Sequence, residues 1–131
     1  MDRIDKILNH DLFLYHLGKN NAAEADRRFC RHGMVHFLDV ARIGTIIALE
    51  EGLELDREWI YAAALLHDCG KHEQYENGTP HEQASARIAP EILKDCGFDD
   101  KETDVIVTAI SRHRDLEAAK EKNLNGVLYR A

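Results

Sequence analysis

The chain has 131 residues, enough for one domain with a buried core, and 17 basic against 24 acidic side chains leave a formal charge of −7. That balance argues against general affinity for nucleic acid or anionic membrane surfaces, although bound dications can still draw anionic phosphates to an acidic protein. No apolar run approaches the roughly 20 residues of a membrane span, and Met1-Asp2-Arg3-Ile4-Asp5-Lys6 lacks the apolar stretch of a secretory signal, so a soluble, cytoplasmic protein is expected.

Ile4, Ile7, Leu8, Leu12 and Tyr15 stand at helical spacing and predict an N-terminal helix that ends near Gly18. A short second helix is expected around Ala22 to Cys30, leading toward Gly33. The third runs from about Met34 to Glu51 and stops at Gly52, a residue suited to the left-handed position after a helix. Asp56 reads as the N-cap of a fourth helix carrying Trp59, Ala63, Leu66 and His67. Asn77-Gly78-Thr79-Pro80 is a turn, with Thr79 as N-cap and Pro80 at the first helical position of the next helix. Pro90 should kink or split that helix near Ile88, and Gly97 should close it. Asp99 and Glu102 form a capping-box pattern that opens a helix toward His113. The last segment, Leu116 to Ala131, is expected to be interrupted at Asn125-Gly126. Strict alternation of apolar and polar residues is missing, so the expected fold class is all-α: a compact helical bundle of five to seven helices, one domain over residues 1–131. Val40, Ile43, Ile47, Leu65, Leu66, Ile106 and Ile110 are its expected core around the site.

The chemistry is concentrated in Ala62-Ala63-Ala64-Leu65-Leu66-His67-Asp68-Cys69-Gly70-Lys71. Imidazole and carboxylate suit hard-to-borderline metals such as iron, manganese, zinc or magnesium. Adjacent helical residues point roughly 100° apart, so His67 and Asp68 meet one site only if it lies across the helix face. By itself the pair reads equally well as a buried histidine beside a capping aspartate. Three more histidines change the balance. His36 shares a face with Val40, Ile43 and Ile47; His67 with Ile60, Ala63 and Ala64; His81 with Ala84, Ser85 and Ile88; His113 with Ile106, Ala109 and Ile110. One histidine on an apolar stripe is usually a satisfied core residue. Four of them each need a buried partner, and a shared metal centre would satisfy all.

This ordered set resembles the HD domain superfamily of metal-dependent phosphohydrolases. The matching positions are His36 in His-Phe-Leu-Asp-Val-Ala-Arg, His67-Asp68 in Leu-Leu-His-Asp-Cys-Gly-Lys, His81 heading an Ala-rich helix, and His113 in Ala-Ile-Ser-Arg-His. The resemblance runs from about Arg28 onward. The two additional histidines make the chain similar to the dinuclear subgroup. In that subgroup the counterparts of His36 and His67 serve one ion, those of His81 and His113 the other, and the carboxylate of the pair, here Asp68, bridges them. A late Asp completes the family's set, following a stretch like Val127-Leu128-Tyr129-Arg130-Ala131. The sequence stops at Ala131, so a trimmed C-terminus is expected, with Asp115 a weaker substitute ligand.

What the resemblance implies is hydrolysis of a phosphate ester or anhydride, with a nucleotide the foremost substrate, by water activated between two divalent ions. Iron or manganese suits such a site best; zinc, magnesium, cobalt and nickel stay open. A di-iron oxygenase on the same scaffold and a non-catalytic nucleotide-binding module are the rival readings. Asp68 and Lys71 are the expected catalytic residues. Arg28, His32, Lys71 and Arg114 are the expected substrate-binding set, with Arg112 a further candidate clamp. Lys71 and the arginines also read as solvated charges, and His32 as a structural histidine. Cys30, Cys69 and Cys96 are odd in number and widely spaced, which suits free thiols better than a disulfide framework, and Cys69 reads as a small buried residue. His10, His16 and His72 belong to no constellation.

Overall fold

A computed structural model describes residues 1–25 and 33–131. The described residues form only helices and their connections: α1 (Asp2–Leu8), α2 (Asp11–Ala23), α3 (Met34–Glu50), α4 (Arg57–Leu66), α5 (Lys71–Asn77), α6 (His81–Asp95), α7 (Asp100–Ser111), a 3₁₀ turn (Leu116–Lys120) and α8 (Leu124–Arg130). The all-helical expectation holds. No helix of the described residues is long and apolar enough to cross a membrane.

The bundle is organised around α4. Ala62, Ala63 and Ala64 are fully buried, and their small side chains let α1, α3, α6, α7 and α8 approach the helix from all sides. Leu65 and Leu66 are also fully buried, and burying a leucine side chain contributes roughly 1.5–3 kcal/mol. Asp56 caps this helix as expected, its carboxylate accepting the Glu58 N–H at 2.8 Å. The capping box of α7 also forms, with Asp99 accepting the Glu102 N–H at 2.8 Å and Glu102 accepting the Asp99 N–H at 3.2 Å. Gly52 and Gly97 follow α3 and α6 with φ of 67° and 96°, a conformation that only glycine adopts without strain.

Several local expectations are corrected by packing. The N-terminal helix does not end at Gly18. It breaks earlier, at Asn9 and His10, where the His10 ring accepts the Leu12 N–H and starts α2. α2 then runs through Gly18 to Ala23, because Phe13, His16 and Asn20 bury one face on both sides of the glycine. The expected helix from Ala22 to Cys30 falls partly outside the described residues; its described part is the end of α2 and a turn. Pro90 does not split α6, which is continuous through it while Ile88, Ala89, Ile92 and Leu93 stay buried around the missing N–H. Pro80, expected inside α6, sits at its N-cap, and Thr79 bonds Asn77 instead of capping. In the last segment the break falls at residues 121–123, ahead of Asn125-Gly126. Gly126 lies within α8, where a Cβ would stand only 1.8 Å from the Glu121 carbonyl oxygen.

Of the expected core, Ile43 is 45% exposed. The buried face of α3 is Phe37, Val40, Ala41, Gly44 and Ala48, so burial is centred one residue away from the stripe through Ile43. The other expected core residues are buried or packed against the core.

Candidate metal centre

α4 delivers its last residues to the middle of the bundle. His67 is its C-cap, and residues 67–70 turn the chain into α5. Gly70 is required by its surroundings: a Cβ there would lie 2.7 Å from both the Ala84 Cβ and the Ser85 nitrogen of α6. Its N–H instead donates to Ser85 Oγ at 2.9 Å, which seats the turn on α6.

Asp68, buried in that turn, stands among all four histidines. Its Oδ2 lies 3.5 Å from His36 Nε2 and 3.2 Å from His67 Nε2; its Oδ1 lies 3.4 Å from His81 Nε2 and 3.5 Å from His113 Nε2. Two trios result, His36–His67–Asp68 and Asp68–His81–His113, each with one ligand atom per residue within 4.8 Å of the others. Each carboxylate oxygen therefore faces a different pair of histidines.

The back edges of the rings fix what the front edges offer. His67 Nδ1 donates to the Ala64 carbonyl and His113 Nδ1 to the Ile110 carbonyl, both at 2.6 Å. Carbonyl oxygens only accept, so both Nδ1 atoms carry hydrogen, and in the neutral form of each ring the lone pair is on the Nε2 that faces Asp68. The N–H groups of His81, backbone and Nδ1, reach Gln74 Oε1 at 3.1 Å and 2.8 Å, which sets the same tautomer. His81 Nε2 then faces His113 Nε2 at 3.1 Å and the carboxylate at 3.4 Å. With the rings neutral, acceptors crowd acceptors in a buried space, and a divalent cation is the group such a set fits; without an ion, a protonated ring donates its Nε2–H to the carboxylate instead.

Electrostatics follow burial. Desolvation alone would raise the Asp68 carboxyl, but the imidazoles of His67, His113 and His36 outweigh it and hold the group well below the ordinary carboxylate range. His36 is pushed up, chiefly by its bond to that carboxylate. His81 is pushed down to about 4, chiefly by burial. Burial likewise drives the Cys69 thiol up to about 12, so it stays protonated and unreactive.

The HD domain family matches this chain over residues 33–131. The chain belongs to the HD domain family. It is similar to an uncharacterized protein of Clostridium beijerinckii, with 47% identity over 131 residues, covering the whole of this chain and 82% of that relative. No solved structure matches the chain. The HD superfamily comprises metal-dependent phosphohydrolases, and the His/Asp clusters around Asp68 are consistent with its metal binding.

The remaining sequence candidates are placed unevenly around this HD domain site. Lys71 opens α5 with its Nζ 3.4 Å from His81 Nδ1, behind the ring, and 5.9 Å from the centre of the Tyr75 ring. Arg114 is exposed beside His113. Arg112 is not available as a clamp, because it pairs with Glu121 at 2.6 Å and Asp115 at 3.1 Å. Asp115 is not a substitute ligand either; its carboxylate caps the 3₁₀ turn at the Glu117 N–H. Arg28 and His32 lie outside the described residues.

Four supporting residues carry no signal in the sequence motifs. Gln74 holds the rear of His81. Asn20 reaches the Asp68 turn from α2, its side chain donating to the Asp68 carbonyl oxygen at 2.9 Å. His16 and His72 form a buried stacked pair, with Nδ1 of one 2.8 Å from Nε2 of the other. No motif marks them. The available signal was spacing, since His16 and Asn20 continue the buried face of α2 one turn apart.

Proposed function

We propose that this HD domain protein hydrolyses a phosphate ester or anhydride, with a nucleotide as the foremost substrate, using two divalent ions held by His36, His67, Asp68, His81 and His113. The observation that carries the reading is the Asp68 carboxylate, whose two oxygens each face a separate pair of histidines. Two such ions, when bound, supply Lewis acidity toward a phosphoryl group and bring a water's pKa toward neutrality. Iron or manganese suits the nitrogen-rich, carboxylate-bridged donor set, and zinc is compatible with it.

The residues of the chain divide the remaining work. Asp68 is the anion that offsets the repulsion between closely spaced cations, and its low protonation range keeps it charged at neutral pH. Ala64, Ile110 and Gln74 hold their histidines in the tautomer that leaves Nε2 unprotonated. Lys71 and Arg114 supply positive charge near the inner histidines, where a substrate phosphate would gain contacts that strengthen as charge develops. For Lys71 this role requires a swing away from the rear of His81, which its flexible stem permits. Arg28 and His32 are proposed for the same phosphate-binding role, on the sequence reading alone.

The test is metal analysis of anaerobically purified protein, followed by a panel of phosphorylated substrates assayed with Mn²⁺ or Zn²⁺ in the absence of oxygen. Release of phosphate or a nucleotide product under those conditions is expected. Turnover that demands iron and oxygen would instead assign an oxygenase, and tight nucleotide binding with no turnover under any metal would assign a binding module.

A further inference from the structure

Asn20 lies in the N-terminal segment that the HD domain match, starting at residue 33, does not reach. It is nevertheless fully buried against the turn that carries Asp68. Its Nδ2 donates to the Asp68 carbonyl oxygen at 2.9 Å, and its Oδ1 accepts the His72 N–H at 2.8 Å. One planar amide thus ties the peptide that follows Asp68 to the first turn of α5.

Two features set this apart from ordinary packing. The N-cap of α5 is Gly70, which has no side chain to accept a first-turn N–H, and Asn20 supplies that acceptor from a distant helix. The Asp68 carbonyl already accepts the Lys71 N–H at 3.0 Å, so the bond from Asn20 fixes the orientation of the same peptide plane from a second direction. On the opposite side Ser85 and Ala84 of α6 grip Gly70. The turn is held between α2 and α6, and the His16–His72 contact adds a second link from α2 to α5.

A carboxylate that must face two pairs of imidazoles tolerates displacement of only about 0.5 Å. We propose that Asn20 is a positioning residue of the metal centre, which makes α2 part of the functional unit. This rests on the two-ion reading of the site.

The experiment is a Co²⁺ titration of the full metal-free chain, followed by calorimetry and visible absorption, with far-UV circular dichroism and thermal midpoints recorded in parallel. Asn20→Ala removes both bonds. Asn20→Asp keeps an acceptor for the His72 N–H but cannot donate to the Asp68 carbonyl, so it separates capping of α5 from positioning of Asp68. Phe13→Leu, at a buried site on the same helix, controls for simple loss of stability. Both Asn20 variants should retain helical dichroism and bind Co²⁺ about 10–100-fold more weakly, the range for partners that orient metal ligands, while Phe13→Leu lowers the midpoint and keeps its affinity. Unchanged affinity in either Asn20 variant would overturn the proposal, as would a Phe13→Leu loss in proportion to its midpoint. A wild-type chain that takes up no Co²⁺ would instead sink the two-ion reading, and this inference with it.

Discussion

The two sides of Asp68 present the same chemistry, a pair of imidazoles facing a carboxylate oxygen, but they are built differently. On the outer side the His36 side chain is 39% exposed; on the inner side those of His81 and His113 are 6% and 9% exposed. The two sides answer the one shared anion with opposite sign. At His36 the bond to Asp68 outweighs desolvation, and its basicity rises. His81, nearest Gln74 and walled in by α5 and α6, loses more by desolvation than it gains from the carboxylate, and its basicity falls to about 4. Burial thus favours the neutral, ligating form of His81, whereas the outer side is open to solvent at His36, its partner His67 being 8% exposed.

The largest break in that comparison is Asp68→Ala, which removes the anion both sides share. Metal content and phosphohydrolase rate should fall together, the rate by at least about 10³-fold, equivalent to roughly 4 kcal/mol. Elemental analysis beside the substrate panel checks this, and a variant that keeps both ions and full rate would refute the proposed mechanism.

Next come the single histidines. His81→Ala should remove one ion from the stoichiometry, because no solvent route replaces a ligand buried on the inner side. His36→Ala should keep two ions at weaker affinity, with water entering at the exposed edge. Equal losses, measured by metal titration of the two variants, would erase the asymmetry.

Lys71→Ala addresses the rear of the inner side. Its metal content should be unchanged, while the rate falls on the order of 10²–10³-fold if the ammonium contacts the phosphoryl group in the transition state. A silent variant would return Lys71 to the role seen in its contacts, a cation resting behind His81 and beside Tyr75. The smallest effect is expected from Gln74→Leu, which frees His81 Nδ1 to change tautomer. Metal affinity should drop about 10–100-fold, and an unaltered titration curve would mean that burial alone orients the ring.

Much of the fold was legible locally. Asp56, the Asp99–Glu102 box, Gly52 and Gly97 act where their residue types act in any helix, because capping and left-handed glycine involve only near neighbours in sequence. The failures share one cause. Gly18 and Pro90 are read as breakers from intrinsic cost, yet both lie inside helices whose buried faces continue on each side. Asn125-Gly126 reads as an interruption, but the glycine serves a close approach by the Glu121 carbonyl. The stripe through His36 was one residue off, which exposed Ile43 and left His36 at the edge of the core instead of within it.

By itself the sequence determined the helical class, the inward-facing positions of His67, His81 and His113, and Asp68 beside His67, because periodicity and residue chemistry are local properties. Tertiary structure alone decided which oxygen of Asp68 faces which pair, that Gln74 and Asn20 stand behind the ligands, and that Arg112 and Asp115 serve each other. Those facts depend on how α2, α5, α6 and α7 meet around one turn. Contacts between residues 48 or 52 positions apart, as from Asn20 to Asp68 and His72, leave no periodic trace in the chain that makes them.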